Sequence, residues 1–217
     1  MTLEIGDSVL VKKNIKDPEL GSDMGGWQGR ISEIDDEDIV CVSWDSITLS
    51  RMPASMIKKC EQEGFDWDRY YLHKSDLESA TPRDTNKDVD AVIRKLESEY
   101  GWFYLGEEGE RVQSVLFGIS PSDEWACFSA WDRYLKKKLL FPFKAIIDEP
   151  QDRGPLDTGD KVIVHGIGRI ADPYGILVDL QHKKRNYRFP LADLEIIDKD
   201  SGNYQPVRDY VVWFANR

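Results

Sequence analysis

Oxygen-bearing side chains recur at short spacing near the end of the chain, in Asp193-Leu-Glu-Ile-Ile-Asp-Lys-Asp-Ser-Gly-Asn203. Calcium takes hard oxygen ligands, drawn from carboxylates, amide oxygens, backbone carbonyls and water, on a loop that can wrap the ion. Asp198 and Asp200 alternate ahead of Gly202, where a tight turn would let backbone carbonyls face the same cation. The spacing is half of a calcium loop, and a solvated turn between strands has the same composition. A second oxygen-rich loop, Asp148-Glu-Pro-Gln-Asp152, precedes Asp157 and Asp160. Two further stretches fit less well. Asp84-Thr-Asn-Lys-Asp-Val-Asp90 places Val89 where an EF-hand loop needs glycine and Lys95 where it needs the bidentate glutamate, and its acids suit a helix start. Asp35-Asp-Glu-Asp38 reads as a hairpin tip, because contiguous acids repel and cannot all point inward. Local loop chemistry therefore selects Asp148, Glu149, Asp193, Asp198, Asp200 and Asn203 as candidate ligands for Ca2+.

Other chemistries find less support. His73, His165 and His182 are isolated, no Gly-rich phosphate loop follows a strand, and neither a nucleophile elbow nor a paired-cysteine motif occurs. The chain reads as non-enzymatic. Cys41, Cys60 and Cys127 are odd in number and widely spaced, which fits reduced thiols. With 40 acidic and 29 basic residues the net charge is −11, so the chain repels a phosphate backbone and nucleic acid is not an expected partner. No apolar run approaches the roughly 20 residues needed to cross a bilayer. The opening Met1-Thr-Leu-Glu-Ile-Gly6 lacks a basic-then-apolar leader, so a cytoplasmic address is expected and no membrane partner.

The elements that must hold these loops come from periodicity. Gly6-Asp-Ser-Val-Leu-Val11 and Gly159-Asp-Lys-Val-Ile-Val164 share Gly-Asp-x-Val-x-Val, each a turn followed by a strand. Gly29-Arg-Ile-Ser-Glu-Ile34 and Gly175-Ile-Leu-Val-Asp-Leu180 follow as second strands, and Pro53-Ala-Ser-Met-Ile57 matches Pro190-Leu-Ala-Asp-Leu194 as a Pro-led turn. Short alternating strands separated by turn clusters indicate small all-β barrels, similar to the Src-homology-3-like (SH3-like) kind. Between them the period changes. Thr85-Asn-Lys-Asp88 has capping-box form ahead of Val89, Ile93, Leu96 and Tyr100 at helical spacing, with Gly101 as the stop. Val112, Val115, Leu116 and Ile119 suggest a second helix. Trp125, Phe128, Trp131, Leu135 and Leu139 form the stripe of a third, ended by Phe141-Pro142. The expected fold class is α+β, two small SH3-like β-barrels flanking a helical middle section. Its expected domains are 1–64, a linker and helical section over 65–140, and 141–217.

Residues from about Trp131 to Arg217 resemble the cyanobacterial calcium-binding protein family of the CcbP type. The likeness is carried by Leu139-Leu-Phe-Pro-Phe-Lys-Ala145, Gly159-Asp-Lys-Val162, Gly175-Ile-Leu-Val178, Tyr187-Arg-Phe-Pro-Leu-Ala-Asp-Leu-Glu195 and Tyr210-Val-Val-Trp-Phe-Ala-Asn-Arg217. The resemblance implies a small acidic protein linked to intracellular calcium, with the ion held by surface carboxylates rather than an EF-hand. One departure stands out: residues 141–217 carry 12 acids against 11 bases, and Lys183-Lys-Arg185 puts three positive charges on one hairpin. The expected function is a non-enzymatic intracellular calcium buffer or sensor using the C-terminal barrel. The alternative is a protein-interaction module whose paired barrels take a basic or aromatic-seeking peptide, motivated by Trp27, Trp44, Trp67 and the acids at 35–38.

Overall fold

Among the described residues, apolar side chains in alternation build ten strands, which the computed structural model pairs into two antiparallel sheets of five, with helices between and after them. The structure describes residues 3–17, 21–35, 38–152 and 154–217. Asp36 and Glu37 of the acidic run therefore lie outside the described residues. Two compact units divide the chain at Gly106 and Glu107.

In the first unit, β1 (Ser8–Val11), β2 (Gln28–Ile34), β3 (Ile39–Trp44), β4 (Arg69–His73) and β5 (Leu77–Ser79) lie in the order β4-β3-β2-β1-β5. Val9, Val11, Ile31, Val40, Val42 and Trp44 are buried on one side, packed with Leu49 and Ile57 from the helices α1 (Ser46–Arg51) and α2 (Ala54–Glu63). Pro53, matched with Pro190 as the start of a Pro-led turn, is the N-cap of α2. A proline there sacrifices no helical hydrogen bond, because the first N–H groups of a helix have no intrahelical acceptor. Phe65–Ala80, expected to join the barrel to the helices, supplies β4 and β5, which pair with β3 and β1. Next comes α3 (Asn86–Tyr100), opened by the expected capping box: Thr85 Oγ1 accepts from Asp88 N while the Asp88 carboxylate accepts from Thr85 N.

A buried ionic strap holds the approach to α3. Asp45 caps α1 by accepting from Thr48 N at 2.7 Å, and its carboxylate pairs with Arg83. Beside it Asp84 pairs with Arg30 and accepts from Ser46 N. Asp45→Ala removes a helix cap and leaves the partly exposed Arg83 guanidinium with only Thr48 Oγ1 to donate to, so unfolding free energy should drop by about 2 kcal/mol in urea denaturation. A loss well below 1 kcal/mol would show that the strap contributes little.

The second unit contains α4 (Gly106–Leu116), α5 (Glu124–Lys138), β6 (Phe143–Ile147), β7 (Lys161–Ala171), β8 (Gly175–His182), β9 (Arg185–Pro190), β10 (Leu194–Ile196) and α6 (Tyr204–Asn216). Its sheet runs β10-β6-β7-β8-β9. Counted along the chain within each sheet, both sheets have the strand order five-one-two-three-four. Phe128, Trp131 and Leu135 of the predicted α5 stripe are buried, and the Trp131 ring packs edge-on to Tyr210 and tilted against Trp213 of α6, both within 5.8 Å. Trp125, assigned to the same stripe, is 65% exposed. Buried Asp209 of α6 is paired with Arg111 of α4 at 2.9 Å.

Common strand order exposes a difference of phase in the sequence pairing. Gly6-Asp7 precedes the first strand of its sheet, whereas Gly159-Asp160 precedes the second strand of the other. The two turns are nonetheless alike in detail. Glu4 N donates to the Asp7 carboxylate and Asp7 N to Glu4 O, while Asp157 N donates to the Asp160 carboxylate and Asp160 N to Asp157 O. Gly6 and Gly159 have φ of 94° and 87°, where only glycine is free of strain. The shared pattern reports a turn, and the turn serves two places in the topology.

The topologically matched segments carry a quieter signal. Asp76-Leu-Glu78 and Asp193-Leu-Glu195 each end a one-turn 3-10 helix, Lys74–Asp76 or Leu191–Asp193, and open the last strand. Val11 pairs with Leu77 in the first sheet as Ile147 pairs with Leu194 in the second. All three cysteines are buried. Among the described residues no helix is long and apolar enough to cross a membrane.

Candidate metal centre

Where β6 ends, the chain turns sharply against the start of β10. The peptide groups of Asp148 and Glu149 both donate to the carbonyl of Asp193, at 2.9 and 3.4 Å. Loop 148–160 is pinned at both ends: Thr158 Oγ1 donates to Asp148 O, Ile147 N to Asp160 O, and Gly159 N to Ile147 O. Acidic residues from two distant parts of the sequence, Asp148 and Glu149 from one and Asp193 from the other, thus share one corner of the sheet. Gln151 from the same loop donates its amide to Asp193 Oδ2. The Asp193 carboxyl is pushed up to about 6, first by burial and then by repulsion from Glu149, with a smaller push from Asp148; the Gln151 donation opposes these.

Asp198, Asp200 and Asn203 lie beyond the other end of β10. A three-residue strand separates the two groups by about 10 Å, too far for one ion. Asp198 Oδ1 accepts from Asp200 N at 3.1 Å, a local turn bond. Buried Asn203 has spent its amide: Oδ1 accepts from Leu140 N and Nδ2 donates to Leu140 O, both at 2.8 Å. Its side chain locks the approach to β6. Glu195 points out of the sheet and pairs with Lys199 at 3.7 Å. Of the six predicted ligands, then, the structure brings Asp148, Glu149 and Asp193 together and sets Asp198, Asp200 and Asn203 apart. Among the described residues, no group of three or more His, Cys, Asp or Glu side chains is already arranged to hold a metal ion.

The first unit provides an internal comparison. Its matching corner has the same backbone bond, Lys12 N to Asp76 O at 2.9 Å, but Lys12 and Lys13 stand where the second unit has Asp148 and Glu149. Lys12 Nζ donates to Ser75 O across that corner. The scaffold is therefore compatible with either sign of charge, so the fold itself does not require crowded carboxylates at 148, 149 and 193. Lys183 and Lys184 occupy the β8–β9 hairpin tip, with β7 between β8 and β6.

A family comparison covers most of this unit. Residues 121–214 match the Calci_bind_CcbP family, described as calcium binding. Among solved structures, a calcium binding protein in its calcium-binding form has 20% identity and a TM-score of 0.41, covering 50% of this chain and 90% of that one. The crystal structure of Anabaena CcbP has 21% identity and a TM-score of 0.40, covering 50% and 89%. No curated protein matches the chain. The matched region begins just ahead of α5, contains the whole second sheet and ends in α6. Sequence reasoning missed the role of Gln151 and the correspondence of Asp76-Leu-Glu78 with Asp193-Leu-Glu195; the latter was readable, as three identical residues.

Proposed function

We propose that the chain binds calcium through its CcbP-type region, with Asp148, Glu149 and Asp193 as the carboxylates that receive the ion. The observation carrying this reading is the contrast between the two matched corners: like charges crowd in one, and lysines occupy the other. Asp193 is held against its own ionisation by burial and by Glu149, and a cation beside it would relieve that repulsion. The donor set fits calcium, since every group in it offers hard oxygen and none offers sulfur or imidazole. A bound ion would supply positive charge; the residues would hold it, and Gln151 would orient Asp193. Because the side chains are not prearranged, binding must draw loop 148–160 inward, which suits a modest-affinity intracellular buffer or sensor without catalytic activity. Each sheet, with its one-turn 3-10 helix before the last strand, is read as an SH3-like barrel.

The peptide-module alternative finds less support in its original residues. Trp44 and Trp67 are buried in the core of the first unit, and half-buried Trp27 packs edge-on against Trp44 at 5.1 Å.

The deciding experiment is a calcium titration of the full chain at physiological salt with excess magnesium, followed by backbone NMR. Amide shifts at Asp148, Glu149 and Asp193, together with a rise in melting temperature, are expected by linkage. No response to millimolar calcium ends the proposal, while shifts confined to Asp198 and Asp200 move the site to the other end of β10.

A further inference from the structure

The first unit has a cleft of about 360 Å³ between the end of α2, the segment Gly64–Arg69, α3 and Tyr104. Four carboxylates line it, from Glu61, Asp66, Asp68 and Glu97, against the single guanidinium of Arg69. Arg69 is committed to Asp66 and Asp68, at 3.1 and 3.6 Å. Glu61 accepts from the Trp67 indole N–H at 2.8 Å through Oε1. The opening is flanked by large aromatic rings that the fold does not bury: Phe65 is 40% exposed and Tyr104 45% exposed. Both features ask for the same guest. An alkyl stem covers exposed ring surface, while a cationic head is attracted by aromatic faces and by the carboxylates behind them. The unit already makes one such contact nearby, where Lys58 Nζ sits 4.4 Å from the centre of the Phe103 ring.

We propose that this cleft binds the lysine side chain of a partner protein, with the ammonium directed to Glu61 and Glu97 and the stem against Phe65 and Tyr104. A metal ion is the poorer occupant. No group of three or more acids, histidines or cysteines among the described residues is arranged for one, and rings at the mouth add nothing to coordination. Titration behaviour points the same way. Glu61 is raised by burial and by Glu97 despite the Trp67 bond, and Asp68 is raised by burial and by Asp66 despite Arg69. A cation entering the cleft would offset both.

The test uses the full-length chain and two probes, Nα-acetyl-lysine methylamide and the same compound acetylated on Nζ. The charged probe should shift the Trp67 indole resonance and the amides of Phe65 and Tyr104, saturably; the acetylated probe should not. Glu97→Gln and Tyr104→Ala, both at exposed positions, should each weaken the response roughly fivefold or more with an unchanged melting temperature. Equal shifts from both probes, no shift from either, or the same shifts produced by calcium alone would overturn the proposal. Calcium binding at the CcbP-type region reports on Asp148, Glu149 and Asp193 instead, so the two sites succeed or fail separately.

Discussion

Asp193→Asn is expected to weaken calcium binding roughly a hundredfold at pH 7, because it removes one of the three carboxylates proposed to receive the ion and leaves Gln151 with only a neutral oxygen to orient. The same substitution should make the calcium-free protein more stable. Asp193 has an ordinary value of 3.8 and is raised to about 6 in the fold. Between those two values the folded chain holds the proton more tightly than the unfolded chain, so stability falls as pH rises from about 4 to about 6 and stays lower above it. At pH 7 the ionised carboxylate is thus a cost to the fold, about 1 kcal/mol once solvent screening of this half-exposed group is allowed for. An asparagine is free of that cost. The predicted signature is therefore a higher melting temperature without calcium and a lost response with it.

The wild-type pH profile follows from the same group. Calcium must displace the proton on Asp193, so affinity should be level above pH 7 and about tenfold weaker at pH 5, one unit below the raised value. Isothermal titration at both values measures it. If affinity is unchanged between pH 7 and pH 5, Asp193 is not a ligand. If Asp193→Asn also lowers the stability of the calcium-free form, its carboxylate serves packing instead.

Gly175→Ala is expected to destabilise the second unit by about 3 kcal/mol or more, through backbone strain and overpacking together. Gly175 has φ of 70° at the start of β8, in the region that L side chains rarely adopt. A Cβ there would overlap Phe214 Cε2 and the Tyr210 hydroxyl. Neither neighbour can yield cheaply. Tyr210 is buried among Trp131, Trp213 and Phe214, and its hydroxyl accepts from Ile176 N at 2.8 Å. The substitution would push α6 from the sheet it covers, and the calcium response should disappear with the fold. Gly202→Ala is the matched control: nothing lies within 4 Å of its Cβ, so its effect should stay within about 0.5 kcal/mol. Urea denaturation of the two variants separates these outcomes; equal midpoints would refute the close approach at Gly175.

That pair of glycines shows how the sequence divides its information. Gly202 looked functional because it follows two aspartates, whereas Gly175 looked like one more strand boundary in a motif of apolar residues. Family likeness resides mostly in residues of the second kind. Ile176, Val178, Phe189, Leu191, Tyr210 and Trp213 are all buried, so those motifs record a core rather than a ligand set.

Local features were legible from the chain because a few neighbouring residues suffice to make them. The Thr85 capping box and the two Gly-Asp turns each close within about one turn of backbone, through bonds that sequence spacing alone permits. Phase and convergence were not legible in the same way. Gly-Asp-x-Val-x-Val specifies a turn and a strand with one buried face, but not which neighbour that strand will choose. The choice depends on burying Val9 and Val11, or Val162 and Val164, against helices that lie elsewhere in the sequence. For the same reason the oxygen-rich loops could be named as a set but not divided. Pairing of Ile147 with Leu194 brings Asp148 and Glu149 to Asp193, and the length of β10 carries Asp198 and Asp200 away. Composition supplied the carboxylates; a non-local strand pairing, driven by the apolar residues between them, determined which ones meet.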